Sequence, residues 1–235
     1  MRQVVLDTET TGLELSAGHR IIEIGCVELV NRKLTGRHFH QYINPQREVE
    51  EGAFEVHGIS DDFLEDKPVF EHIVDEFLEF VEGSELVIHN AAFDIGFLNN
   101  ELKLLGAKYG KVEDRCSVLD SLRVARHKHP GQKNNLDALC KRYGIDNSQR
   151  DLHGALLDSE ILADVYLAMT GGQTKLELAN DGDGASSNAS GLVGLKSAIE
   201  SRAKGKVIMA NEEEALRHRQ KLERVGEKSG RSCSW

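Results

Sequence analysis

The sequence predicts an α/β fold in which helices lie on the faces of a mixed β-sheet. Three apolar segments near the N-terminus have the composition of consecutive strands: Val4 to Leu6, Ile21 to Val30 and Arg37 to Ile43. Apolar residues later recur at intervals of three and four, which predicts helices near residues 69–82, 92–105, 134–143 and 154–169. Layering helices on a sheet in this way buries the apolar side of every element.

The first strand leads directly into two acids. Asp7 and Glu9 follow the apolar run and are two residues apart, so on a strand their side chains point to the same face. Neighbouring anions repel and raise each other's pKa unless a cation lies between them. The pair therefore predicts a metal site or a shared proton, although an isolated Asp-x-Glu at a strand end is more often a solvated loop edge.

The middle of the chain repeats the pattern of a strand followed by an acid. The polar turn Asn31 to Lys33 is predicted to join the second and third strands, and Glu85 to His89 is predicted as a later strand. Asp94 then opens a helix, where the helix dipole would keep it ionised and ready for a metal, or simply favour an acid at that end. Phe93 beside it either stacks on a base or belongs to the core.

The last predicted helix of this region begins close to a histidine and ends at Gly171-Gly172. His153 lies just before its first turn, and Asp158 lies about one turn inside it. An imidazole titrates near physiological pH, which suits a base that takes a proton from water. The alternatives are that His153 only bonds backbone at the helix start and that Asp158 only complements the helix dipole.

These strings in this order resemble the DEDDh family of 3′ to 5′ exonucleases, which is named for four acids and a histidine. Within it, four strings are similar to those of the proofreading epsilon subunits of bacterial DNA polymerase III: Asp7 to Gly12, Val56 to Ile59, His89 to Phe97 and His153 to Asp158. The similarity runs through nearly all of residues 1–172. It implies a ribonuclease H-like fold and an exonuclease that removes mispaired 3′-terminal deoxynucleotides.

The resemblance also implies a role for each of the five residues. Asp7 would bridge two divalent cations, Mg²⁺ or Mn²⁺. Glu9 and Asp158 would complete the site of the ion that carries the attacking water, and Asp94 would hold the second ion through water. His153 would take the proton from the attacking water. Two ions about 4 Å apart can generate the nucleophile, shield the phosphate and stabilise the leaving oxygen.

Substrate contacts and rival functions follow from the same comparison. The family places His57 beside the terminal nucleotide, where Asp7, Glu9 and Asp158 would also meet the substrate, although an isolated His-Gly pair is as readily a turn. One rival function is a DEDDh exoribonuclease acting on RNA 3′ ends, which shares the five residues. The other is a non-catalytic docking module, which would have no use for four converging acids.

Composition fits one catalytic domain with an appendage. The chain has 235 residues, 40% of them hydrophobic, with 29 Lys and Arg against 39 Asp and Glu for a net charge of −10. Autonomous nucleic-acid binders are generally basic, so we predict that a partner supplies much of the affinity for DNA. The stretch Arg115 to Arg142 is locally basic and either flanks the single strand or forms a solvated face.

Cysteine usage and hydropathy predict a cytoplasmic protein. Four cysteines occur without Cys-x-x-Cys spacing and are predicted to be reduced thiols: Cys26, Cys116, Cys140 and Cys233. No apolar run is long enough for a membrane span, and acids as early as position 7 leave no room for a signal peptide.

The composition changes after residue 172. We predict an exonuclease domain over 1–172, a flexible linker over 179–205 that is small and polar, and a partner-binding tail over 206–235. Gln173 to Leu178 resembles a sliding-clamp-binding motif, with leucine where an aromatic is common.

The tail itself predicts a helix that starts after Asn211, with Glu214 completing a capping box, and runs to about Val225. The resemblance implies that this tail binds the polymerase alpha subunit, with Trp235 as an anchor, and that a theta subunit binds the exonuclease domain. The alternative is a frayed terminus with an incidental aromatic.

Overall fold

A computed structural model of the protein describes residues 1–150, 152–171 and 212–229. Its sheet has five strands in the order β3-β2-β1-β4-β5. The strands are β1 (Arg2–Thr10), β2 (Ile21–Val30), β3 (Lys33–Tyr42), β4 (Glu85–Ile88) and β5 (Ser117–Asp120). Strands β1, β2 and β3 pair antiparallel, whereas β4 pairs parallel with both β1 and β5. The predicted mixed sheet is therefore confirmed.

Helices flank this sheet. They are α1 (Glu51–His57), α2 (Asp61–Leu64), α3 (Phe70–Val81), α4 (Ala92–Leu105), α5 (Ser121–Lys128), α6 (Leu136–Tyr143), α7 (Ala155–Thr170) and α8 (Glu212–Ser229). The four helices predicted before residue 172 correspond to α3, α4, α6 and α7, with ends within two residues of the prediction. Periodicity located them because each helix buries an apolar side.

Four short elements were missed: α1, α2, β5 and α5. Each has eight residues or fewer and shows no clear apolar period, whereas α6, which is as short as α5, places Leu136, Leu139 and Tyr143 at intervals of three and four. The third strand also begins at Lys33 rather than at Arg37, so the prediction that Lys33 belongs to the turn is wrong. Asn31 and Arg32 have φ angles of 50° and 64°, so two residues complete the turn and pairing resumes at once between Val30 and Lys33.

The core has two layers, one on each face of the sheet. Val4 and Leu6 pack with α3 and α4, whereas Val5 between them packs with α5, α6 and α7. This alternation continues to the end of β1. It directs Thr8 toward α4, and Asp7 and Glu9 toward α7, so the strand end lies between the two helices that carry the later acids.

The chain divides into two units, Met1–Leu176 and Glu177–Trp235. Helix α8 is the described part of the second unit and extends four residues beyond the predicted end near Val225. The candidate clamp motif, the linker and Trp235 lie outside the described residues. No helix in the described ranges has the length and apolar character needed to cross a bilayer. Cys26, Cys116 and Cys140 are buried free thiols, and Cys233 lies outside the described part.

Candidate active site

A cavity of about 570 Å³ opens where β1 ends. Its lining includes every residue predicted for the site: Asp7, Glu9, His57, Phe93, Asp94, His153 and Asp158. These residues come from β1, α1, α4, α7 and the connection before α7. The structure therefore brings together side chains that are up to 151 positions apart in the sequence.

Two acids of the cavity project from β1. Glu9 is buried and lies opposite Glu23 of β2, and Asp7 lies opposite Gly25. Burial raises the pKa of Asp7 well above its usual range, and Asp94 and Glu9 raise it further. Burial, with Glu23 and Asp158 nearby, raises the pKa of Glu9 to about 8. Without a cation, these carboxylates resist being charged together.

Asp94 lies in the first turn of α4, which begins two residues earlier at Ala92. Its Oδ1 accepts a hydrogen bond of 2.7 Å from the Thr8 hydroxyl, which fixes the carboxylate beside β1. Burial raises the pKa of Asp94 to about 7, even though the Thr8 hydrogen bond opposes the rise. Burial therefore opposes the ionised state that the helix position was predicted to favour, and without a cation Asp94 is only partly ionised near neutral pH.

The fourth acid is held by an arginine that the sequence analysis did not identify. Both oxygens of Asp158, on α7, accept from Arg150, at 2.5 Å from Nε and 2.8 Å from Nη2. Arg150 Nη1 also donates to Asp137 at 2.8 Å. Asp158 is buried, and the Arg150 side chain is 8% exposed, so this is an ion-pair network largely removed from water.

His153 lies at the mouth of the cavity. Its backbone N–H donates to the Val56 carbonyl at 3.1 Å, which attaches the connection before α7 to α1. Its Nδ1 is 3.1 Å from Arg150 Nη2 and 3.6 Å from Asp158 Oδ2. Burial and then the Arg150 guanidinium lower the pKa of His153, while Asp158 and Asp137 partly offset this. The imidazole is thus neutral at physiological pH.

His57 and Phe93 occupy the sides of the cavity. His57 is buried at the end of α1, and its Nδ1 accepts from the Ile59 N–H at 3.0 Å. Its Nε2 makes no well-aligned hydrogen bond to the described residues. The pKa of His57 is lowered by burial, which the Thr10 carbonyl partly offsets. Phe93 packs on Phe97 with ring centroids 4.8 Å apart and still lines the cavity, so its core and site roles are compatible.

Close packing against β2 sets the position of α7. An added Cβ at Gly25 would lie 2.2 Å from the backbone of Ala155 and Leu156, so only glycine allows this approach. The Ser159 hydroxyl donates to the Gly25 carbonyl at 2.8 Å. Buried Glu23 accepts the Ala155 N–H at 3.1 Å. These contacts fix the first turn of α7 and therefore Asp158.

Glu23, Gly25 and Arg150 are the residues that sequence reasoning missed. A lone acid inside the apolar run Ile21 to Ile24 was the available signal for Glu23, because charged residues are seldom fully buried unless they are paired. Arg150 and Gly25 left no comparable signal, since their importance depends on contacts with distant segments.

The residues present fit a divalent metal ion. Ligand atoms of Glu9, His153 and Asp158 lie within 4.8 Å of one another, and Asp7 and Asp94 line the same cavity. Carboxylate oxygens are the ligands that Mg²⁺ and Mn²⁺ prefer. The raised pKa values of Asp7, Glu9 and Asp94 indicate that the cluster lacks enough positive charge of its own.

A family model described as Exonuclease matches residues 4–166 of the chain. Curated relatives named DNA polymerase III subunit epsilon match almost its whole length. The proteins of Salmonella typhimurium and Escherichia coli are each 52% identical over 238 residues, which cover 100% of this chain and 97% of the relative. The Rickettsia prowazekii protein is 46% identical over 226 residues, covering 96% of this chain and 97% of the relative.

Solved structures with the same fold include Exonuclease X in complex with 5′ overhanging duplex DNA. The match has a TM-score of 0.56 at 24% identity and covers 72% of this chain and 93% of the Exonuclease X chain. The nuclease domain of 3′hExo is described as a DEDDh family member bound to rAMP. The match has a TM-score of 0.61 at 21% identity and covers 72% of this chain and 90% of that domain. The predicted ribonuclease H-like fold is confirmed.

The chain belongs to the exonuclease family and, within it, to the epsilon subunits of bacterial DNA polymerase III. The prediction of a 3′ to 5′ exonuclease of the epsilon type is therefore confirmed.

Proposed function

We propose that this epsilon-type exonuclease removes mispaired 3′-terminal deoxynucleotides from a primer strand by hydrolysis of the last phosphodiester bond. One observation carries the proposal: four acids and an imidazole from distant parts of the chain line one cavity. Three of those acids have raised pKa values, so the cluster favours bound cations. A binding module has no need for such a costly arrangement of buried charge.

Divalent ions, which we propose to be two Mg²⁺ or Mn²⁺, would supply an acidified water, charge shielding of the phosphate and stabilisation of the leaving 3′ oxygen. Asp7 would bridge them. Glu9 and Asp158 would complete the site on the side of His153, in keeping with the 4.8 Å grouping of their ligand atoms. Asp94 would act on the other side through water, held in place by Thr8.

His153 would take the proton from the attacking water. It is half exposed at the cavity mouth, where water reaches it, and its lowered pKa leaves it able to accept a proton at neutral pH. Its fixed backbone bond to Val56 holds it near the ligand atoms of Glu9 and Asp158.

Selection of the mispaired end would come from fraying. A cavity of about 570 Å³ is of the size that holds one small ligand, so a terminal nucleotide must leave its partner strand to enter. A mismatched end unpairs at lower cost than a matched one. The buried Nε2 of His57 would then contact the terminal nucleotide, beside Asp7, Glu9 and Asp158.

Because a net charge of −10 disfavours binding to DNA, partner proteins would supply much of the affinity for DNA. We propose that the tail over 206–235 binds the polymerase alpha subunit, that a theta subunit binds the exonuclease domain, and that Gln173 to Leu178 binds the sliding clamp, all in the cytoplasm. Helix α8 supports a docking tail, since Leu216 leaves 54% of its surface exposed. The basic stretch 115–142 would flank the single strand, with Arg123 and Arg126 exposed on α5.

The test is release of mononucleotides from a 3′-mismatched primer with Mg²⁺. The full chain should release them, and the Asp158→Asn variant should not. Asp164→Asn is the matched control, because Asp164 is an exposed acid on the same helix. Faster hydrolysis of a matched RNA oligonucleotide would favour the exoribonuclease instead, and no metal-dependent release at all would favour the docking module.

A further inference from the structure

Arg150 occupies the centre of the site on the α7 side. Its guanidinium donates to both oxygens of Asp158, to Asp137 Oδ1 and to His153 Nδ1, over distances of 2.5 to 3.1 Å. The side chain is 8% exposed. A single buried cation thus holds both a candidate metal ligand and the candidate base.

The guanidinium takes one lone pair on each oxygen of Asp158, the atoms that a metal ion would also use. A bidentate arginine binds both oxygens of a carboxylate in its plane. Mg²⁺ approaches its oxygen ligands to about 2.0 to 2.1 Å, closer than any hydrogen bond. Arg150 Nη2 contacts Asp158 and His153, which are two of the three residues whose ligand atoms gather within 4.8 Å. The two cations therefore compete for the same atoms.

The positive charge of Arg150 also opposes the binding of a metal ion at this site. Arg150 lines the same cavity as Asp7 and Glu9. A divalent ion held by Glu9 and Asp158 would share this cavity with the guanidinium, and like charges in a largely buried site repel strongly.

The contact with His153 engages the lone pair that the base needs. Arginine has donors only, so Nδ1 of His153 must be the acceptor and Nε2 carries the proton of the neutral ring. In this arrangement no ring nitrogen is free to accept a proton from water. Release of Arg150 would free Asp158 for the metal and His153 for the water at once.

We propose that Arg150 is a positioning residue that acts through Asp158 and His153. Its guanidinium holds both side chains until divalent ions bind, and it then withdraws to Asp137, whose side chain is 57% exposed and already accepts Nη1. This inference rests on the proposed metal-dependent function, and it adds a defined competitor for the metal within the chain.

Calorimetric titration of the full chain with Mn²⁺, without DNA, tests the competition. Arg150→Gln should bind its tightest Mn²⁺ more strongly, on the order of tenfold, because the competing cation is gone. Arg37→Gln is the control, since Arg37 is 66% exposed on β3, outside the cavity, and should leave the affinity unchanged. Unchanged or weaker binding by Arg150→Gln overturns the proposal. Failure of the wild-type chain to bind Mn²⁺ would instead overturn the proposed function.

Two further measurements cover the case in which Arg150→Gln does not fold. Arg150→Lys keeps the charge but loses the planar fork, so its Mn²⁺ affinity should rise by a smaller factor. In the wild-type chain, the NMR signal of the Arg150 Nε–H, identified by its loss in Arg150→Lys, should shift when Mg²⁺ saturates the site. An Arg150→Lys affinity at or below that of the wild type, or an Nε–H signal unmoved by Mg²⁺, overturns the proposal.

Discussion

The two halves of the acid cluster differ in how their charge is balanced. On the β1 and α4 side, burial raises the pKa of Asp7, Glu9 and Asp94, and a threonine is the only side chain recorded as bonding to any of them in the described residues. On the α7 side, Asp158 has an arginine on both oxygens. The acids on the β1 and α4 side need a bound cation to be charged together. Asp158 on the α7 side is already paired with a cation of the chain, Arg150. Bound metal would therefore change the two halves in different ways.

The largest expected effect comes from the side that lacks a cation. Asp7→Ala should lower exonuclease activity on the order of a thousandfold or more, since its carboxylate would bridge both ions. In EDTA the variant should unfold no more easily than the wild type, because a carboxyl group that is costly to bury is gone. Mononucleotide release and urea unfolding measure the two effects. A loss of stability as large, in free energy, as the loss of activity would contradict a role of Asp7 in catalysis rather than in folding.

The same side predicts a dependence of stability on pH. Glu9 and Asp94 have pKa values of about 8 and about 7 in the folded chain, against about 4 when unfolded. The folded state then binds more protons than the unfolded state between these values, so the free energy of unfolding falls as pH rises, by a few kcal/mol. Urea unfolding in EDTA at about pH 5 and about pH 8 measures the fall.

Saturating Mg²⁺ is the control for the pH effect. Bound ions favour the ionised carboxylates and should remove most of the fall. Stability that rises with pH in EDTA would show that burial does not dominate the charge state of these two acids.

On the α7 side, His153→Ala should lower activity at saturating metal on the order of a hundredfold, which corresponds to about 2.7 kcal/mol of transition-state stabilisation. The side chain is half exposed, so folding and the Mn²⁺ affinity of the Asp7 side should change little. His72→Ala, at an exposed position on α3 outside the cavity, is the control. Activity within a few-fold of the wild type would exclude His153 as the base.

The packing that positions α7 can be broken without touching the acids. Gly25→Ala forces a Cβ to within 2.2 Å of the helix backbone and should destabilise the domain by about 2 kcal/mol while lowering activity. Gly52→Ala, where an added Cβ meets nothing within 4 Å in α1, is the control and should be neutral or stabilising. Thermal unfolding checks both, and equal midpoints would contradict the role of the close approach.

The smallest effect is expected at Glu23, whose carboxylate links the two halves. Glu23→Gln keeps the shape and an acceptor for the Ala155 N–H but loses the charge that raises the pKa of Glu9. We expect a cost of about 1 kcal/mol in urea unfolding, and tighter Mn²⁺ binding at neutral pH. Glu160→Gln, at an exposed position on α7, is the control. Weaker Mn²⁺ binding by Glu23→Gln would count against an effect of the Glu23 charge on Glu9 and the metal site.

Sequence patterns located the longer elements and the acids because those features are local. Asp7 and Glu9 share a face through the period of a strand, and α4 and α7 were found through the period of a helix. Short elements such as α5 escaped because they show no clear apolar period, whereas α6, with the same eight residues, does. The turn at Asn31 and Arg32 was misplaced by one residue because its length depends on backbone angles that the residue types only partly specify.

The sequence by itself determined the family, the mixed sheet and the identity of the acids and the imidazole, since order and spacing along the chain carry that information. Only the tertiary structure decided that Arg150 holds Asp158 and His153, that Gly25 admits α7, and that burial raises the pKa of Asp94. The physical reason is that charge balance and close approach depend on distances between segments far apart in the chain. Those distances exist only once the sheet has assembled.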